Sequence, residues 1–196
     1  MSHVLLSSQR IDCKKLTEIE FKFQFPTAEK AFEQIASFYE NGDEIYYAEQ
    51  FIPAKREHVF PFFSEAKNLE EITPPLLNFK VLKMSTDTIQ SGTLIDYRLK
   101  IHGIPVGWQT EILDWQPISK FTDTQLKGPY TKWHHTHEFF DLAGGTLMTD
   151  LVRYKLPLGP LGWVVAGSFV AKDVKQIFLH RKKVCAAVDF KQRAGF

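Results

Sequence analysis

The stretch from Lys127 to Leu156 narrows the folds open to this chain more than any other. Trp133, His135, His137 and Phe139 alternate with His134, Thr136 and Glu138. After a turn marked by Gly144 and Gly145, Met148, Asp150, Val152, Tyr154 and Leu156 alternate with Thr149, Leu151, Arg153 and Lys155. A period of two is the signature of a strand with two unlike faces. A two-residue turn at Ala143-Gly144 places His137 opposite Asp150, and a turn shifted by one residue keeps the same faces together. One face of this strand pair therefore carries large apolar side chains with an acid and two imidazoles set among them. A dry core rarely tolerates that mixture, because each buried polar group must find a partner. The wall of a partly wet cavity tolerates it well.

The same reading extends to the rest of the chain. Residues 45–52 form a strand that Pro53 stops. Residues 54–63 and 66–72 read as two short helices, the second stopped by Thr73-Pro74-Pro75. Strands follow at 79–84, 93–102, 106–115, 121–126, 132–140 and 146–156, with Gly, Pro or Asp near each junction. That order is an antiparallel meander. Pro160 suits the first turn of a long final helix. Its stripe runs from Leu161, Val164 and Val165 through Val174, Ile177, Phe178, Arg181 and Cys185 to Val188. Such a helix needs an apolar partner, and the concave face of the meander is the one available. The fold class is α+β.

Residues 1–44 read as a strand-helix appendage, 45–190 as the main domain and 191–196 as a tail. In the appendage Ile19, Phe21, Phe23 and Phe25 alternate with polar residues, and Thr27 offers an N-cap for a helix that Asn41-Gly42 ends. The phenylalanines of that strand must cover something. They pair with the main sheet or with another copy of the chain, so residues 17–39 are a candidate homodimer contact.

Composition excludes several functions. A net charge of +1 leaves no global field to recruit nucleic acid. Cys13 and Cys185 are far apart and form neither a disulfide framework nor a zinc pattern. The first residues lack the apolar core of a secretion signal, and the longest apolar run, 161–171, is too short to span a bilayer. A cytoplasmic protein without an integral membrane segment is expected. The aromatic load is high, with 17 Phe, 6 Tyr and 4 Trp. Rings in that number serve both a core and the lining of an apolar pocket.

Four phrases carry a resemblance: His58 to Pro75 (HVFPFFSEAKNLEEITPP), Gly92 to Leu99 (GTLIDYRL), Gly128 to Phe139 (GPYTKWHHTHEF) and Tyr154 to Gly162 (YKLPLGPLG). With the element order, they make 45–188 resemble the START-like, or SRPBCC, helix-grip superfamily, which includes Bet v 1-like and polyketide cyclase/dehydrase-like proteins, and in particular a bacterial ligand-binding branch of it. The resemblance implies a curved sheet wrapped around the long helix, and a cavity between them for a lipid, polyketide, quinone or similar apolar molecule. Some members catalyse cyclisation or dehydration. In the bacterial branch the domain is sometimes joined to a sugar-nucleotide-epimerase-like domain and carries a cell-division-inhibitor label. No GxGxxG occurs here, so no dinucleotide-binding half is expected in this sequence.

The candidate ligand-binding residues are Tyr97, Leu99, Trp108, Trp133, His135, His137, Asp150, Val152 and Tyr154. His137 and Asp150 are also the candidates for catalysis, since an acid beside an imidazole raises its pKa and fixes its tautomer. That pair is a self-satisfied buried hydrogen bond, a polar anchor for a ligand, or a general acid-base pair. His135 and His137 share a face and can chelate, but a metal requires a third ligand such as Asp150, and the bulky neighbours argue against it. No metal and no cofactor are expected. Ile95, Tyr97, Leu99 and Ile101 face inward, as do Trp108, Thr110 and Ile112; Asp96, Arg98, Lys100, His102, His134 and Arg153 face out. Asp123 shares a face with Gln125, but its register against His135 stays open. The segment 161–169 reads as the lid of the cavity, or alternatively as a membrane-dipping helix with Trp163 at the interface. Three functions follow: a binder of a small apolar ligand, a cyclase or dehydratase using the His–Asp pair, and an interaction protein acting through its appendage.

Overall fold

A computed structural model describes Lys14, Glu18, Thr27–Glu40 and Asp43–Arg193. The chain divides into two compact units, 1–37 and 38–196. Helix α1 (Ala28–Glu40) begins at Thr27, whose Oγ1 accepts the Lys30 amide at 3.4 Å, as an N-cap does. The strand expected at 19–25 lies outside the described residues, and so does the Asn41-Gly42 stop.

The second unit holds a seven-stranded antiparallel sheet. Its strands are β1 (Glu44–Ile52), β2 (Lys80–Met84), β3 (Leu94–Ile101), β4 (Ile104–Gln116), β5 (Lys120–Lys127), β6 (Lys132–Leu142) and β7 (Gly145–Lys155). They lie in the order β1-β7-β6-β5-β4-β3-β2, so the meander β2 to β7 is completed by β1 pairing with β7. Register shifts interrupt β2–β3 once and β4–β5 twice. Each extra residue bends its strand and adds twist, which is how an open sheet curls.

Between β1 and β2 lie α2 (Arg56–Phe63), α3 (Asn68–Ile72) and a single 3₁₀ turn (Pro75–Leu77). Helix α2 starts two residues later than its spacing predicts, after an extended Lys55. It inserts Phe60 and Phe63 against Phe139 of β6, in edge-on and tilted contacts at 5.3 and 5.6 Å. Phe62 and Phe63 also meet Phe190, from α5 (Phe190–Arg193). Much of the aromatic load thus sits in one core at the α2 end of the sheet.

The long helix α4 (Gly159–Cys185) carries Pro160 in its first turn. Its buried stripe is Gly167, Val174, Phe178, Arg181 and Cys185. Val174 and Phe178 pack on Val152 and Tyr154 of β7. The first turns differ from expectation: Leu161, Val164 and Val165 are exposed, because the sheet lies under the later turns only. Among the described residues no helix is long and apolar enough to cross a membrane.

Candidate functional site

Between the concave sheet face and the second half of α4 lies a cavity of about 250 Å³, open on one side. Its walls come from β3 (Tyr97, Leu99, Ile101), β4 (Trp108), β6 (Trp133) and α4 (Ile177, Phe178). Alternation brings them there: Ile95, Tyr97 and Leu99 are buried while Arg98 and Lys100 are exposed. Leu76 and Leu77 of the 3₁₀ turn stand at the rim. The cavity is not covered by 161–169; its α4 wall begins at Asp173. His102 departs from the expected outward orientation. Strand β3 ends at Ile101, and His102 takes a left-handed φ of 49° ahead of Gly103, which breaks the alternation. Its Nε2 lies 2.7 Å from Asp173 Oδ2 at the cavity rim, and its ring rests on Phe169.

The floor is polar. The turn at Ala143-Gly144 closes as expected, with Gly144 at φ +87° and Leu142 opposite Gly145. His137 consequently faces Asp150 and His135 faces Val152. On the other side β5 settles the register that the sequence left open: Asp123 faces His135, and Phe121 faces His137. Two imidazoles, 3.8 Å apart between ring centres, thus lie between two carboxylates.

The two carboxylates are bound differently. His135 Nε2 lies 2.8 Å from Asp150 Oδ1, and Arg181 Nη1 donates to the same oxygen at 3.1 Å. His137 Nδ1 lies 2.9 Å from that oxygen but makes no hydrogen bond, so this third contact is close but poorly aimed. Asp123 Oδ2, on the cavity side, lies 3.3 Å from His135 Nδ1 and 3.3 Å from His137 Nε2. Asp150 is a layer deeper. It lines a second recess, between β1 and α4, that Arg181 and Phe178 separate from the first.

Burial alone would favour neutral forms at this floor, but the partners outweigh it. Burial pushes the Asp150 carboxyl up, while the Arg181 charge and the two imidazoles hold it well below the usual carboxylate range. Asp123 is opposed by burial in the same way and held low by His135, then His137. Burial pulls His135 down, yet Asp123 and then Asp150 raise it above its ordinary 6.5. The Tyr97 hydroxyl is pushed up by burial and the Asp123 charge, and accepts a hydrogen bond from Thr110 Oγ1 at 3.2 Å. On the outer face His134 is half-buried and held down by burial and by Arg153.

Of the residues chosen from sequence, Tyr97, Leu99, Trp108, Trp133, His135 and His137 line the cavity together. Asp150 sits behind the two histidines, while Val152 and Tyr154 are covered by α4 through Val174 and Phe178. Two floor residues were missed. Asp123 needed the β5–β6 register. Arg181 had a signal of its own: a guanidinium in the apolar stripe of a helix must have a buried partner.

Residues 52–182 match the model of the family described as polyketide cyclase / dehydrase and lipid transport. The chain belongs to that family. Residues 1–35 match a domain of unknown function (DUF1731). This family member is similar in structure to the Zhui aromatase/cyclase of Streptomyces sp. R1128, with 12% identity and a TM-score of 0.61 over 77% of this chain and 95% of that one. It is similar to a START superfamily protein of Mycobacterium smegmatis, with 13% identity and a TM-score of 0.54 over 71% and 94%. It is also similar to part of a nucleoside-diphosphate sugar epimerase of Corynebacterium glutamicum, with 22% identity and a TM-score of 0.53 over 72% of this chain but 28% of that one. At these identities the likeness is one of fold, and it is the START-like helix-grip fold. No curated protein matches the chain.

Proposed function

We propose that the protein binds a small apolar or amphipathic molecule in the cavity between the sheet and α4. The observation that carries this reading is an apolar-walled cavity ending on a buried polar floor. Apolar walls supply affinity, and a few fixed polar groups supply orientation. A volume of about 250 Å³ lies just below the ~300–1,000 Å³ of ordinary ligand pockets, which favours a compact ligand or one end of a longer lipid, polyketide or quinone. Burying about 300 Å² of its apolar surface contributes roughly 7 kcal/mol before ordering costs, enough for micromolar binding. Trp108 and Trp133 on the wall make their fluorescence the natural readout. An apolar dye such as anilinonaphthalene sulfonate should bind the purified chain and alter that emission. Leu99→Trp, which fills the cavity, should weaken the dye at least tenfold. A filled variant that binds the dye as tightly as the parent chain would refute the reading.

A second reading, a cyclase or dehydratase, draws on the floor itself: the imidazoles of His135 and His137 each lie against two carboxylates at the end of the cavity. An imidazole so placed can move a proton at a bound carbonyl. His137→Ala distinguishes the two. A binder loses modest affinity, whereas an enzyme loses turnover far more than binding.

A further inference from the structure

We propose that Asp123, His135 and His137 bind a divalent transition ion, of the zinc or iron(II) class, at the cavity floor. The distances carry the argument. A charge-assisted N–H···O⁻ bond runs about 2.7–2.9 Å, and the His135–Asp150 contact, at 2.8 Å, is one. The contacts to Asp123 are longer: both nitrogens stand 3.3 Å from one oxygen, His137 Nε2 in a long hydrogen bond and His135 Nδ1 without one. A tetrahedral ion with bonds of about 2.0–2.2 Å spaces its ligand atoms at about 3.3–3.5 Å. Asp123 is thus spaced as a ligand beside His135 Nδ1 and His137 Nε2, and one atom from each residue falls within 4.8 Å of the others.

The far side of each ring supports the same assignment. His135 turns its other nitrogen to Asp150, which fixes the tautomer that leaves a lone pair on Nδ1. His137 Nδ1 lies 2.9 Å from the same oxygen without a hydrogen bond, so Asp150 fixes the ring of His135 and only abuts that of His137. Arg181 anchors Asp150 in place. For His135 this is the carboxylate–histidine–metal arrangement, in which a second carboxylate orients the ligating imidazole. With both imidazoles neutral, two carboxylates face one guanidinium, and a net negative floor attracts a cation. Three protein ligands leave a coordination position free, and all three line the cavity, so that position opens toward whatever enters it. The sequence named Asp150 as one example of a third ligand and argued against a metal; the third ligand here is Asp123 instead, which the β5–β6 register brings beside both histidines.

The full chain, stripped by a chelator and dialysed, is titrated with Zn²⁺ by calorimetry and with Co²⁺ by visible absorption. One equivalent should bind, with the Co²⁺ bands of a four- or five-coordinate site. Asp123→Asn should lower the affinity more than tenfold. A folded parent chain that takes up neither ion overturns the proposal, because a proton then serves the two imidazoles instead. Equal affinity in Asp123→Asn overturns it too, because the ion then sits elsewhere. If circular dichroism shows that variant unfolded, the parent chain decides alone. Co²⁺ at this site must quench Trp133, whose ring centre is 6.4 Å from that of His135, and unchanged emission at saturating Co²⁺ refutes it.

Discussion

Asp150 is the residue on which the polar floor turns. Its Oδ1 meets His135, His137 and Arg181, and its side chain is only 9% exposed. Asp150→Asn keeps the shape but leaves the Arg181 guanidinium buried without a counter-charge, a loss on the order of 3 kcal/mol. Urea unfolding at neutral pH checks this; a midpoint unchanged from the parent chain would show that the ion pair is not a structural element. The pH dependence of the metal-free protein follows from the same groups. Asp150 and Asp123 are held below their ordinary 3.8, so their contribution is present above that value and is lost as pH falls through the lowered one. His135 is raised above 6.5, so its contribution is present below 6.5 and is lost as pH rises through the raised value. Thermal midpoints measured with a chelator present should fall on both sides of a plateau, and Asp150→Asn should flatten the acid limb.

Among the elements, β6 and β7 bear the most. The β6 strand serves the aromatic core at one end and the cavity at the other, since Phe139 packs on Phe60, Phe63 and Phe121 while Trp133 stands on the cavity wall. Phe139 is 1% exposed, and Phe139→Ala should cost about 3–5 kcal/mol by removing a ring and leaving a void. Gly145 tests the register by another route. A Cβ there would meet the Ile52 carbonyl oxygen at 2.2 Å, just past the last β1–β7 pair, Ile52 with Thr146. Gly145→Ala should therefore destabilise by more than about 1 kcal/mol, beyond any propensity change. An alanine variant as stable as the parent, by the same denaturation, would mean that the end of β1 does not approach Gly145 this closely. Cys185, buried with its thiol pushed up to about 11, should label with a thiol reagent only after unfolding.

For the whole molecule, among the described residues the strands of the sheet and the cavity lining fall within Glu44–Arg193, and the match to the polyketide cyclase / dehydrase family lies inside that span. A chain starting at Asp43 should fold cooperatively and bind the apolar dye like the full chain. If it does not fold, residues before 43 supply part of the core. Most of the architecture was legible beforehand because local pattern reports it directly: alternation and the turn residues between runs marked the seven strands, and the Ala143-Gly144 turn placed His137 against Asp150. What escaped were features that a period cannot carry. The exposed start of α4 follows from where the sheet ends beneath it. The turn of His102 into the cavity rim follows from one left-handed residue.

The candidate site divides along the same line. A face of the β6–β7 pair bearing two imidazoles and an acid follows from the residues alone, since parity depends only on counting along a strand. The depth of Asp150 behind the histidines, the arrival of Asp123 from β5 and of Arg181 from α4, and the space that Tyr97, Trp108 and Trp133 leave open all depend on packing. Register between strands joined by an irregular loop, and the distance between a helix and a sheet, are set by many weak contacts at once. No local pattern encodes them, which is why the folded chain had to supply the second carboxylate and the cation that complete the floor.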